Sequence, residues 1–461
     1  MRRSAAGILA LALAACAVGP DYQRPEAAVS AAYKEAVGWK AAEPRDEASR
    51  GNWWEIFGDP KLSALIESID MSNQNVLLAE ARFRQARALA AQSRAALFPT
   101  LDADASITRS RSAGAVSDNR SVALNSSWEI DLWGRLRRAL ESSAANAQAS
   151  AADLAAARLL AQAELASSYF QLRVLDAQKQ LLGDTVTAFD KSLELTRNRY
   201  AAGVAAKVDV VQAETQLKST LAQSIDTGVQ RAQLEHAIAI LVGKPPSEFA
   251  IAPVPLAVTM PRIPLGLPSE LLERRPDVAA AERRAAAANA QIGVAKAAYF
   301  PSLTLSASYG SRSAVASQLF TLPSGFWSIG PALAQSIFDA GLRRAQTEQA
   351  IAAYDATVAQ YRQAVLAGFQ EVEDNLAALR ILEEEAKVQD EAVRAARESV
   401  VLTTNQYKAG TVSYNNVVTV QTTQLNNERV AVGILGRRLV AAATLVKALG
   451  GGWDAAVLAQ K

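Results

Sequence analysis

Few residues in this chain could do chemistry. Its 461 residues include one cysteine and one histidine, Cys16 and His236, and the formal net charge is only +2. That inventory removes most metal and thiol chemistry. His236 lies in a helical stretch and reads as an ordinary packing or surface residue. Cys16 differs in its surroundings: Met1-Arg2-Arg3 supply a basic start, Ala5 to Ala15 a short apolar run, and Leu13-Ala14-Ala15 a small-residue cleavage site directly before the thiol. The run is too short to span a bilayer and reads as a secretory signal. The pattern is that of a lipobox, in which the thiol is acylated and becomes the mature N-terminus; each buried methylene adds about 0.8 kcal/mol of membrane affinity. Ala17 follows, in place of the aspartate of an inner-membrane retention signal, so the outer membrane is the expected address. No Walker P-loop, HExxH, GxSxG or dinucleotide fingerprint is present, and Pro245 spoils the superficial phosphate-loop look of Gly243-Lys244. The near balance of charge leaves no electrostatic footprint for nucleic acid. The expectation is a protein without cofactor, metal or enzymatic activity.

The elements around that anchor are duplicated. Ala95-Ala96-Leu97-Phe98-Pro99-Thr100-Leu101 returns as Ala297-Ala298-Tyr299-Phe300-Pro301-Ser302-Leu303. Tyr200-Ala201-Ala202-Gly203 returns as Tyr407-Lys408-Ala409-Gly410. Duplicated units stack to bury faces that neither buries alone. After each Phe-Pro the sequence alternates with period two. Leu101, Ala103, Ala105 and Ile107 interleave with Asp102, Asp104, Ser106 and Thr108; Val122, Leu124, Trp128 and Ile130 interleave with Ala123, Asn125, Ser127 and Glu129. The second copy repeats this in Leu303, Leu305, Ala307 and Tyr309, then in Trp327, Ile329 and Leu333. Each run suffices for one tilted strand across a bilayer, roughly 9–11 residues.

Long helices are expected elsewhere. Ala161, Leu165, Ser168, Leu172, Leu175, Lys179, Leu182, Val186, Phe189, Leu193, Thr196 and Tyr200 follow 4-3 spacing, and Val372 to Tyr407 carries the matching seam, a coiled-coil pattern. A helix from Leu140 to Tyr200 would be on the order of 90 Å long. Gly203 and Gly410 suit the left-handed residue that ends a helix, and new helical patterns begin near Val208 and Asn416, so each copy makes a tight helical hairpin. Between the copies, Gly243 to Pro276 holds eight of the sixteen prolines and cannot be helical throughout. The expected divisions are a signal peptide (1–15), a lipid-anchored arm (16–52), a first repeat (53–242), a Pro-rich linker (243–275), a second repeat (276–450) and a tail (451–461).

Four membrane strands cannot close a barrel, and an open edge in lipid costs several kcal/mol per unsatisfied backbone group. Strands must therefore be pooled between copies; two copies would give eight and three twelve, and arithmetic alone does not choose. Several motifs together resemble the outer-membrane factors of tripartite efflux systems. They are the lipobox with Gly19-Pro20-Asp21-Tyr22, Trp53-Trp54 before Phe57-Gly58-Asp59-Pro60, Phe338-Asp339-Ala340-Gly341, and the run from Leu267-Pro268-Ser269 to Arg274-Arg275-Pro276-Asp277. The resemblance, to OprM- and TolC-like lipoproteins over nearly the whole mature chain, implies an α+β membrane protein. Its homotrimer would share one twelve-stranded β-barrel above a tunnel of long coiled-coil helices in the periplasm. It implies a passive exit duct for small molecules, served by a periplasmic adaptor and an inner-membrane pump of the resistance-nodulation-division type.

The resemblance also implies sites. Tyr407 and Asp209 match positions that pair to hold the tip closed, and Gly203, Val204, Gly410 and Thr411 match turns that an adaptor touches. Tyr407 also ends the heptad seam and could serve packing alone. The chain departs from TolC at Val412, which stands where TolC has an arginine, and at Asn416 and Thr419, which stand where it has acids. A neutral, hydrogen-bonded gate of Tyr407, Asp209, Asn415 and Asn416 is therefore expected. Two alternatives stay open at this stage. A type I protein secretion duct would share the fold, and its gene neighbours would distinguish it. A periplasm-spanning structural lipoprotein would not need four alternating strands.

Overall fold

The computed structural model describes residues 17–36, 52–254, 260, 261, 263, 274–453 and 455. Cys16, the expected signal peptide and most of the run from Leu267 lie outside the described residues. Eleven helices and strands carry the architecture, and their lengths repeat. Helix α1 (Pro60–Ser72) precedes α2 (Gln74–Ala95, 22 residues), β1 (Thr100–Ser112), β2 (Ala115–Ile130), α3 (Arg135–Ala201, 67 residues) and α4 (Lys207–Leu241, 35 residues). The second copy gives α5 (Pro276–Ala297, 22 residues), β3 (Ser302–Ser313), β4 (Gly325–Ala334), α6 (Leu342–Lys408, 67 residues) and α7 (Tyr414–Ala448, 35 residues). The expected duplication is thus matched residue for residue in its three helix lengths. At 1.5 Å per residue each 67-residue helix is on the order of 100 Å long.

The chain divides into two compact units. The first takes the described part of Met1–Ala27 with Ala81–Ala152 and Asp277–Ala364. It holds one antiparallel sheet in the order β1-β2-β3-β4. β1 and β2 meet at a two-residue turn in which Ala113 and Gly114 both have positive φ, +48° and +84°, the mirror-image turn that matches strand twist. Asp131 accepts from the backbone N–H groups of Leu136 and Arg137, and Asp339 from those of Gly341 and Arg343, so an aspartate caps the helix after each strand pair. The N-terminal arm is held along this unit. Asn289 donates to the Pro20 carbonyl at 3.0 Å, Arg138 to Asp21 at 2.7 Å, and the Tyr22 hydroxyl to Glu282 at 2.6 Å. A Cβ on Gly19 would stand 2.5 Å from the Gly293 Cα, so the arm reaches α5 only because both positions are glycine.

The second unit takes Ala28–Glu80, Asp153–Pro276 and the residues from Val365 onward. The expected seam is buried at Ala161, Leu165, Leu172, Leu175, Leu182, Phe189, Leu193 and Thr196. Lys179 and Tyr200, both assigned to the seam by spacing, are exposed. Asn73 caps α2 through its side-chain oxygen and ties α1 to α4 by donating to the Leu241 carbonyl at 2.8 Å. Asp59 caps α1 and accepts from Tyr169 at 2.6 Å; burial first, then this bond, pushes the Tyr169 phenol up to about 12. The linker is pinned where it begins. Arg173 and Arg231 share the buried Asp176 and donate to the carbonyls of Ala252 and Ile251. Arg275, inside the fingerprint run, is 5% exposed and clamps Glu371 of α6 (2.8 Å) to the last carbonyl of α7, Ala448 (3.0 Å).

Candidate functional site

Two regions carry features that packing alone does not explain. The first is the sheet. Its register sets Leu124 opposite Ala103 and Tyr309, Trp128 opposite Leu305, Ile130 opposite Leu303, and Tyr309 opposite Trp327. The apolar stripes of four strands therefore fall on one face. The other face collects Asp102, Asp104, Ser106, Asn125, Ser127, Thr304, Ser306 and Ser308. A one-residue slip in any strand would reverse that strand's faces. Ile107, Tyr309, Trp327, Ile329 and Leu333 stand exposed on the apolar face, and among the described residues β1 and β4 have no strand paired along their outer edges. A sheet with one oily face, one wet face and two open edges suits a wall between lipid and water that neighbours complete. Where the strands meet the helices, Trp133 stacks on Phe300 with ring centres 4.7 Å apart and donates to the Pro301 carbonyl at 2.8 Å. Trp128 donates to the Leu97 carbonyl at 3.0 Å, so aromatics brace both Phe-Pro junctions.

The second region is the pair of helical hairpin tips. Both turns have the same backbone. Gly203 N–H donates to the Tyr200 carbonyl and Val204 N–H to Arg199; Gly410 N–H donates to Tyr407 and Thr411 N–H to Gln406, all at 3.0 Å. This 5→2 and 6→1 pairing needs a left-handed residue, supplied by Gly203 (φ +76°) and Gly410 (φ +79°). Gly203, Val204, Gly410 and Thr411 are all exposed, as are Asn415 and Asn416, while Asp209 is half-buried. Behind the turns Phe189, Leu193, Ala213, Leu217, Tyr407, Tyr414 and Val417 form one buried cluster.

Tyr407 is 5% exposed and stands edge-on to Tyr414, ring centres 5.3 Å apart. Its hydroxyl is buried without a hydrogen-bond partner, so the expected bond to Asp209 is not made within the chain. Instead the two hairpins are joined by residues that spacing alone did not single out. The Arg199 guanidinium lies 4.8 Å above the Tyr407 ring and donates to the Lys408 carbonyl at 3.2 Å, on the C-terminal turn of α6 where a cation is favoured. Tyr414 and Ser192 share a hydroxyl contact at 3.1 Å, and Gln216 donates to Thr422 at 3.0 Å. Burial raises the Tyr414 phenol, with Tyr407 and Asp209 adding to the rise and Ser192 opposing it, so this group is neutral at ordinary pH. The one available signal for the Arg199 contact was its position beside Tyr200 at the duplicated turn. Among the described residues no cluster of three or more His, Cys, Asp or Glu could hold a metal ion.

Comparison with known proteins agrees with this geometry. The family model described as "Outer membrane efflux protein" matches residues 65–244 and 267–451. The chain is similar to the probable efflux pump outer membrane protein TtgC of Pseudomonas putida, 31% identical over 458 residues, covering 97% of this chain and 94% of that one. It is similar to the pyoverdine export outer membrane protein OpmQ of Pseudomonas aeruginosa, 33% identical over 90% of each chain. Its fold matches the solved outer-membrane channel OprN with a TM-score of 0.89 at 32% identity, covering 95% of this chain and all of that one.

Proposed function

This chain belongs to the outer membrane efflux protein family, and from that membership and the geometry above we infer how it works. It is the outer-membrane channel of a tripartite efflux pump. Three chains pool their four-stranded sheets into one twelve-stranded barrel, and their long helices form the periplasmic tunnel. The cargo comes from an inner-membrane pump through a periplasmic adaptor, and the duct itself performs no reaction. The observation that supports this reading most directly is the sheet. Its register collects apolar side chains on one face and hydroxyls and carboxylates on the other. A spacer lipoprotein has no use for that register, and the efflux and export names of the relatives favour small-molecule efflux over protein secretion.

Three local roles follow. Cys16 is the lipid anchor. Val18 N–H donates to the Trp133 carbonyl at 2.9 Å, and a Cβ on Gly134 would meet Ala17 at 2.9 Å. The arm thus starts within a few residues of the end of β2, where a membrane strand emerges from lipid. Gly203, Val204, Gly410 and Thr411 offer the exposed turns to the adaptor. Tyr407, Asp209, Asn415 and Asn416 form a hydrogen-bonded gate at the tips; the Tyr407 hydroxyl is buried and unpartnered within the chain, so its bond to Asp209 forms only when the tips rearrange in the closed trimer. Adaptor binding need overcome only bonds netting about 0.5–1.5 kcal/mol each, so no energy source at the tip is required.

Deleting the gene in a strain that retains its pump and adaptor should sensitise cells to the pump's substrates, with full rescue by the wild-type chain. Unchanged susceptibility across a broad panel would refute the duct. Replacing Cys16 by serine should abolish lipid labelling of the mature protein, and persistent labelling would remove the anchor from that residue.

A further inference from the structure

The apolar face of the sheet does not end at random. On β1 it runs Leu101, Ala103, Ala105, Ile107 and then continues as Arg109 and Arg111; on β2 it runs up to Val122 and then continues as Arg120, Asp118 and Val116. The register sets Ile107 opposite Arg120 and Arg109 opposite Asp118. Arg109 Nε lies 3.6 Å from Asp118 Oδ1, and Arg120 Nη2 lies 3.7 Å from Asp118 Oδ2. Arg120 also donates to the Ala314 carbonyl. Two guanidinium groups thus flank one carboxylate at distances too long for good hydrogen bonds, and Arg111 follows on the same face opposite Val116, so this end of the face carries three arginines against one aspartate. The Arg109 side chain is 76% exposed. On β3 the register sets Ser311 opposite Val122 and Ser313 opposite Arg120, so the strand is polar from one step beyond Tyr309.

Depth decides what this cluster meets. Two residues along a strand tilted by about 40° raise Arg109 roughly 5 Å above Ile107. The cluster lies at the Ala113-Gly114 turn, the opposite end of the strands from the helix junctions, and the helices are periplasmic. Tyr309 and Trp327 close the apolar face on β3 and β4, as aromatic side chains do at a membrane boundary. Arginine on a lipid-facing strand is costly near the bilayer midplane and nearly free at the interface. Its place here is therefore the headgroup layer of the outer leaflet.

We propose that Arg109, Arg111 and Arg120 form a lipid-facing site for the phosphate group of an outer-leaflet lipid. Guanidinium forks match phosphate oxygens bidentately and hold them more strongly than neutral donors do. Asp118 stands between Arg109 and Arg120 and keeps both directed along the face. A lipid fits better than a free anion because Ile107, Val122 and Leu124 continue the same face below the cluster and offer acyl chains a surface. The proposal rests on the outer-membrane reading but is independent of what the duct exports.

The test uses the purified trimer and native mass spectrometry, with bisphosphorylated lipid A and fully dephosphorylated lipid A as probes. The wild-type trimer should retain the bisphosphorylated form at least about tenfold better, since each basic residue near an anionic surface contributes roughly a factor of five. The R109Q/R111Q pair should lose most of that preference, and R109K/R111K should recover part of it. Arg120 is left in place because it also holds the Ala314 carbonyl. Equal retention of the two lipids by wild type would overturn the site without any variant. So would an unchanged preference in R109Q/R111Q, or displacement of the bound lipid by equimolar inorganic phosphate. Drug susceptibility is a separate readout: if it fails to change on gene deletion, the duct reading falls while lipid retention still reports on this cluster.

Discussion

The two hairpin tips share a backbone and differ in what they bury. Tyr200 and Tyr407 occupy the same place before the same turn, yet Tyr200 is 46% exposed and Tyr407 only 5%. The residue before each differs too: Arg199 in the first tip, Gln406 in the second. Arg199 reaches across to cover the Tyr407 ring and the end of α6, while Gln406 lends only its backbone carbonyl, to Thr411. A duplicated turn has thus become a donor side and an acceptor side. The backbone of each tip is fixed by glycine and could be kept while the side chains diverged. The asymmetry places the side-chain contacts of the tips between hairpins rather than within either turn.

Truncating the tyrosines should break this comparison most visibly. Tyr407→Ala removes a buried aromatic from the tip cluster and should cost about 3–5 kcal/mol, whereas Tyr200→Ala should stay within about 0.5 kcal/mol. Thermal dissociation of the trimer and leak conductance in planar bilayers would show it; equal effects at the two positions would mean that the asymmetry has no energetic content. Arg199→Gln comes next. It deletes a cation–π contact and a charged donor to the Lys408 carbonyl, together on the order of 2 kcal/mol, so the open fraction should rise roughly tenfold or more. Gln406→Ala, its counterpart, should leave conductance unchanged.

Much of this architecture was legible in the sequence, for a physical reason in each case. Alternation and a 4-3 seam are properties of single strands and helices, so β1 to β4 and the long helices could be read from spacing. Gly203 and Gly410 were legible because only glycine takes their conformation cheaply. Arg275 belongs to the run that carries the resemblance, but its work, joining Glu371 to the end of α7, depends on residues distant in the chain. The same holds at the tip. Tyr407 and Asp209 were named through resemblance, but the Arg199 cover and the Ser192–Tyr414 contact depend on how two hairpins meet. Tyr200 keeps the heptad spacing yet is exposed within the chain, because spacing cannot tell where a partner helix stops covering it. Arg109, Arg111 and Arg120 continue the same alternation beyond Ile107 and Val122, but period two alone does not distinguish an arginine on the lipid face from one in a loop.

A finer prediction concerns the Tyr407 hydroxyl. Within one chain it is buried and unbonded, so Tyr407→Phe should be neutral or slightly stabilising if nothing else reaches it. If Asp209 accepts a hydrogen bond from it once the tips close in the trimer, Tyr407→Phe and Asp209→Asn should each raise single-channel conductance. Their double mutant should then do no more than either alone, with a coupling of about 0.5–1.5 kcal/mol. Strictly additive effects would deny the pair.

The smallest effect expected is that of pH, and its sign separates the tip from the rest of the second unit. Burial raises the Tyr414 phenol, so its neutral form is favoured in the folded tip. The stability this contributes is complete below the unfolded value, about 10, and is lost as pH climbs through the folded value. Glu371 runs the other way. Burial pushes its carboxyl up, but the bonds from Arg275 and Lys447 (2.8 and 2.9 Å) outweigh that and hold it below its ordinary range. Its contribution is complete above the unfolded value, about 4.3, and fades as pH falls toward the folded one. Closed-state conductance should therefore stay flat between about pH 5 and 9 and rise only in strong alkali, while trimer stability should fall first in acid. Glu371→Gln should flatten the acid limb without touching the alkaline one. A conductance step near neutrality would instead require a titrating group at the tip other than Tyr414.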